Sequence, residues 1–296
     1  MSLGDLNPYL LAEPFITDEA MRRALAACLA LSVSAPPIGV FLLLRRMSLV
    51  GDALSHAILP GVAIGFLIAG GSFVAMSLGG FITGLVVAFL SGALARAKLL
   101  TEDASLASFY LLSLALGVLI VSLKGADDEL LHLLFGSVLD LDIPALFLMA
   151  AIATVSVLVL AIVYRPLVVE CFDRALLRQV SGWGAPAHFV FLGLLVINLV
   201  GAFQVLGTLL AVGIMLLPAI TSRFWAASVS GMIGAAVAIA AVSCVAGLLV
   251  SHYGELEAGP AIILTAGVFY GFSILFGIRD GVLLQAGRRR RAASLT

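Results

Sequence analysis

Apolar positions in this chain come in long blocks with few polar interruptions. Runs of about 18 to 25 residues recur along it, each long enough to cross a ~30 Å hydrocarbon layer as a helix, and the alternating ten-residue segments of an outer-membrane barrel are missing. The pattern predicts nine spans, at 24–44, 53–69, 73–95, 107–123, 143–163, 187–206, 207–220, 226–250 and 259–276. Pro36 and Pro37 fall inside the first, which predicts a kinked, protein-facing helix whose freed carbonyls are met by neighbours. Gly79 and Gly80 in the third permit close helix contact. The sixth and seventh spans run almost together, and Gly201 and Gly207 can each mark a turn or a bend. Residues 124–142 gather five acids around His132 and are too polar to cross, which suits a re-entrant or surface helix. Residues 164–186 form the longest polar-containing connection.

Composition agrees with the pattern. With 62% hydrophobic residues, 11% charged and a mean hydropathy of +1.19, the 296 residues describe an integral membrane protein of all-α, polytopic class. A net charge of -1 gives no case for nucleic acid, and three scattered cysteines form neither a CxxC pair nor a disulfide framework. Residues 1–20 hold four acids and two prolines without a basic leader and do not read as a cleaved signal. They read as an N-terminal extracytoplasmic segment, followed by a single transmembrane domain at 21–285 and a basic cytoplasmic tail at 286–296. With the tail inside, cytoplasmic segments hold thirteen of the sixteen Lys and Arg residues, and only Arg22, Arg23 and Lys124 lie outside. Acids lean outward, where they would attract cations, although outer loops also need polar residues for solvation.

The most chemically loaded stretch is GDALSHAILPG, 51–61. Asp52 and His56 are four apart, so on a helix they share a face about one turn from each other and can hold a hard or borderline divalent cation. A second reading makes Asp52 a helix N-cap and His56 a packing residue. The chain has no GxxxxGK[ST] phosphate loop, no GxGxxG after a strand, no HExxH and no Cys/His ligand cluster. Ser55 beside His56 makes no hydrolase triad. A chain without a nucleotide site must draw any ATP-driven work from a separate subunit.

RRMSLVGDALSHAILPGVAIG (45–65) resembles the signature region of the ABC-3 family, the membrane permeases of ATP-binding-cassette importers for zinc, manganese and iron. LLFGSVL (133–139), GTLLAVGIMLLPAITSRFW (207–225) and EAGPAIIL (257–264) resemble further family segments in the same order. The resemblance implies a type II, vitamin-B12-importer-like permease in the prokaryotic inner membrane. It also implies a second permease protomer, two cytoplasmic ATPase subunits that carry the ATP, and an extracytoplasmic protein that delivers zinc or manganese, with ferrous iron a further option. No tightly bound cofactor is implied.

Residue by residue, Asp52 and His56 match the family's acid and histidine, thought to line a transient passage. Residues 164–186 resemble the cytoplasmic coupling segment that docks on the ATPase. Phe172 and Asp173 match its FD pair, and Arg174 and Arg178 can reach acidic groups on the partner, but Ala175 and Gly182 sit two and nine residues after the pair instead of about four and eight. In the outer turn SHYGELEAG, Ser251 is retained while His252, Glu255 and Glu257 replace an aromatic, an aspartate and a proline. His252 and Glu255 are weak metal candidates or lip residues that meet the binding protein, as is His132. His188 reads as an interface residue. Pro60, Gly61, Gly136, Gly207, Pro218 and Gly259 are assigned structural roles. An ion-coupled secondary carrier or a non-transporting scaffold are the alternatives; a convincing internal repeat, which a carrier usually shows, is missing, and a scaffold leaves the ordered segments unexplained.

Overall fold

In the computed structural model, residues 8–70, 72–97, 101–124, 141–172, 184–279 and 281 are described. Among them the chain is helical: α1 Pro8–Thr17, α2 Glu19–Leu44, α3 Val50–Ala57, α4 Leu59–Ala69, α5 Phe73–Arg96, α6 Glu102–Lys124, α7 Ile143–Phe172, α8 Gly184–Leu206, α9 Thr208–Ser222, α10 Val229–Gly254 and α11 Ala258–Phe276. Among the described residues eight spans are long and apolar enough to cross a membrane, with α3 and α4 together making one of them, while α9 has only 15 residues.

Two expectations need correction. The second span is not one helix, because it breaks at Ile58 between α3 and α4. Pro60 stands in the first turn of α4 and offers no N–H to the carbonyl of residue 56, so an uninterrupted ladder is impossible there. The residue 56 carbonyl accepts from the Ile58 N–H instead, and Ser113 on α6 donates its hydroxyl to the next carbonyl, that of Ala57, at 2.6 Å. Secondly, 164–172 is not connection. α7 continues through Pro166 to Phe172, 30 residues in all, α8 begins at Gly184, and 173–183 lie outside the described residues. α2 runs through Pro36 and Pro37 as one helical run of 26 residues, buried around the proline pair as expected of a protein-facing helix.

The residues divide into two compact units. The first comprises 1–40, 137–150 and 213–296, and the second 41–136 and 151–212. In the second unit, α4 and α5 meet backbone to backbone. A Cβ on Gly61 would overlap the carbonyl of Gly79, and a Cβ on Gly79 would overlap the carbonyl of Gly61. The close contact expected of the glycine pair is therefore made, with α4 as partner. Phe41, Leu54, Ile58, Leu167, Phe191 and Phe203 fill the interior of this unit. Gly207, at φ +82°, supplies the left-handed turn between α8 and α9, whereas Gly201 lies within α8.

In the first unit, α10 packs on α11, with the backbone of Ile262 lying where a Cβ on Gly247 would sit. Ser228 caps α10 by accepting from the Gly231 N–H at 3.2 Å. Trp225 Nε1 donates to Ser273 Oγ at 2.8 Å, and the Arg279 N–H donates to the Phe224 carbonyl. Outward-facing apolar residues such as Leu112 and Leu119 on α6 or Leu264 and Val268 on α11 suit hydrocarbon as a solvent.

Candidate metal passage and a buried charge cluster

α3 is short and two-faced. Val50, Leu54, Ser55 and Ala57 are buried, while Asp52 and His56 lie on the other side with side chains 65% and 44% exposed. His56 Nε2 stands 4.0 Å from Asp52 Oδ1. Two ligands of one ion, each at about 2.0–2.2 Å, can be no more than roughly 4.3 Å apart, so a small rotamer change lets both reach a single cation. The N-cap position of α3 is Leu49, three residues before Asp52, and this removes the N-cap alternative. His56 is half-exposed and is not core packing.

Other candidates fall differently. His252 and Glu255 are exposed at the end of α10, where Glu255 takes the left-handed C-cap conformation at φ +51° and His252 meets Tyr253 edge-on at 5.3 Å. Among the described residues no group of three or more His, Cys, Asp or Glu side chains is placed to hold a metal. Phe172 is the last residue of α7 and is exposed. Pro218 lies inside α9, and Gly259 faces open space, so packing does not demand a glycine there. Asp173, Arg174, Arg178, His132 and Gly136 lie outside the described residues.

Sequence reasoning missed a buried group in the second unit. Arg45, just past the end of α2, donates from Nη2 to Glu170 Oε2 on α7 at 2.7 Å. Their side chains are 0% and 5% exposed. Arg96, which ends α5, reaches the other carboxylate oxygen at 3.4 Å. His188 on α8 corrects its assignment as an interface residue: it is buried, 3.2 Å from Arg45 Nη1. A guanidinium can only donate, so His188 Nδ1 is the acceptor. Arg45 also lies over the Phe191 ring at 4.4 Å, and Arg96 over Phe189 at 5.6 Å. An unread signal existed in Glu170, an acid in the apolar run LVVEC, which a helix extended past Pro166 would have flagged.

Comparison with known proteins agrees with this architecture. The ABC 3 transport family matches residues 17–277. The manganese transport system membrane protein MntC of Halalkalibacterium halodurans is 30% identical over 277 residues, covering 93% of this chain and 94% of the relative. The chelated iron transport system membrane protein YfeD of Yersinia pestis is 28% identical over 270 residues, covering 90% of this chain and 88% of the relative. A chain of the PsaBC structure from Streptococcus pneumoniae, solved in complex with Fab, superposes with a TM-score of 0.81 at 26% identity, over 95% of this chain and 100% of that one. The fold is that of an all-α polytopic membrane permease, a transport subunit and not an enzyme, with ATP hydrolysis expected on another chain. The chain belongs to the ABC 3 transport family, as a permease subunit of an importer for a divalent metal cation.

Proposed function

We propose that this chain pairs with a second permease protomer in a prokaryotic inner membrane and carries manganese or zinc inward, from an extracytoplasmic binding protein, at the expense of ATP hydrolysed by two cytoplasmic subunits. The observation that carries the reading is the Asp52–His56 pair, 4.0 Å apart on the exposed face of a helix that breaks two residues further on. Manganese is the first choice. Relatives include a manganese transport protein, and a carboxylate with one imidazole suits a hard to borderline cation better than a soft one.

Two ligands are too few for storage. Zinc completes four-coordination and manganese prefers a larger oxygen-rich shell, so water or groups from other helices supply the remainder. Incomplete coordination suits a conduit, since a cation held too firmly cannot leave. Exposed His252 and Glu255 act as lip residues toward the binding protein. Link 173–183, entered at exposed Phe172, is the ATPase docking segment, with Asp173, Arg174 and Arg178 as its polar contacts.

The test is uptake of radiolabelled manganese and zinc by matched amounts of assembled transporter. Asp52→Asn keeps size and removes charge, and His56→Leu keeps apolar bulk and removes the ring nitrogens. Each lowers uptake by about tenfold, the scale of losing one metal-linked group, with assembly retained. Normal uptake in the double variant rejects the passage.

A further inference from the structure

We propose that Arg45, Glu170, Arg96 and His188 are positioning residues that couple ATPase-driven movement to the helix carrying Asp52 and His56. The inference rests on the proposed docking role of 173–183.

Placement is the first argument. Glu170 stands two residues before the end of α7 and His188 is the fifth residue of α8, so the two helices that bracket 173–183 each contribute a member. Arg45 lies five residues before α3 begins, and Arg96 closes α5, the helix whose Gly79 is pressed against Gly61 of α4. One carboxylate therefore joins the exit of α7 to the entrance of α3 through Arg45 and to α5 through Arg96. His188 ties α8 to Arg45.

Energetics is the second. A buried ion pair contributes little net stability, because desolvation offsets its Coulomb attraction, and well-packed apolar residues commonly do as well. What the charges add is direction. Hydrogen bonds from Nη2 to Glu170 and from Nη1 to His188, with the Phe191 ring against its face, fix the Arg45 guanidinium in one orientation, so a rotation or tilt of α7 must carry Arg45 with it or expose an unpaired charge. Apolar contacts slide, and this linkage does not. The cluster thus forms a rigid linkage through which movement of α7 reaches the entrance of α3 and the end of α5.

Separating coupling from stability calls for removing both partners at once. In liposomes holding the permease, its ATPase and its binding protein loaded with manganese, Arg45→Met with Glu170→Leu leaves assembly and basal ATP hydrolysis as in the unaltered complex. Manganese taken up per ATP hydrolysed falls by about tenfold, within the ordinary range of coupling between sites. His188→Leu, which leaves the Arg45–Glu170 pair in place, gives a smaller fall in the same ratio and decides the matter if the double variant does not assemble. An unchanged ratio in the assembled double variant, or in His188→Leu where only that assembles, overturns the inference while leaving the proposed function intact. An unaltered complex that takes up no manganese or zinc overturns the proposed function, and this inference with it.

Discussion

Glu170 shows what a single buried carboxylate commits its neighbours to. Its two oxygens face Arg45 at 2.7 Å and Arg96 at 3.4 Å, so neutralising it strands at least one cation with almost no access to water. Glu170→Gln alone should destabilise the permease by roughly 3 kcal/mol, and pairing it with Arg45→Met should recover most of that loss, since an unpaired buried charge costs far more than an absent pair. Thermal unfolding of the detergent-solubilised protein measures both. Asp52 and His56 were legible from sequence because their relation is local, one helical turn on one face. The Arg45–Glu170 and Arg45–His188 contacts bridge 125 and 143 positions, and no spacing rule connects them. His188 accordingly looked like a residue without company.

At the level of elements, hydropathy located the spans because a membrane helix must be long and apolar, but it could not tell a continuous helix from a broken one. The break at Ile58 had a readable mark in Pro60, which belongs naturally in the first turn of a new helix. Pro166 misled in the opposite sense. Read as part of a connection, it sits within a helix that carries on for six more residues. Proline is tolerated inside a membrane helix where neighbours re-satisfy the freed carbonyl, so its presence alone decides nothing. The contact of α4 with α5 makes a sharper prediction. Because each glycine lies where the other's carbonyl excludes a methyl group, Gly61→Ala or Gly79→Ala should cost about 1–3 kcal/mol through overpacking, whereas Gly259→Ala should be neutral. Thermal unfolding of the three purified variants ranks them.

For the molecule as a whole, the proposed sidedness rests on the charge pattern, and the proposed docking segment on the resemblance of 164–186 to the family's coupling segment. In a background lacking Cys28, Cys171 and Cys244, a cysteine at Ala126 should react with an impermeant maleimide from outside, and one at Gly182 should not; the reverse pattern would invert the topology. Replacing both Phe172 and Asp173 with alanine should weaken copurification of the ATPase while leaving insertion intact. Family and fold class were legible because four motif segments lie in order along the chain. The division into two units was not, because it follows which helices touch and cuts across α2, α7 and α9.

The length of α7 also bears on the lipid. Thirty residues at about 1.5 Å each make a rod of roughly 45 Å, some 15 Å more than a typical hydrocarbon core. Such a helix either leans or projects, and the surplus falls naturally at the end bearing exposed Arg165 and Phe172, where headgroups and water soften the cost of the Arg165 charge while Glu170 stays buried against Arg45 and Arg96. Acyl-chain length then sets how deeply the Arg165 end sits. A bilayer of long-chain lipids would draw that end into oil, and one of short-chain lipids would leave it proud of the surface. Transport per ATP should therefore peak at an intermediate bilayer thickness, which turns the choice of lipid into a variable of the motor.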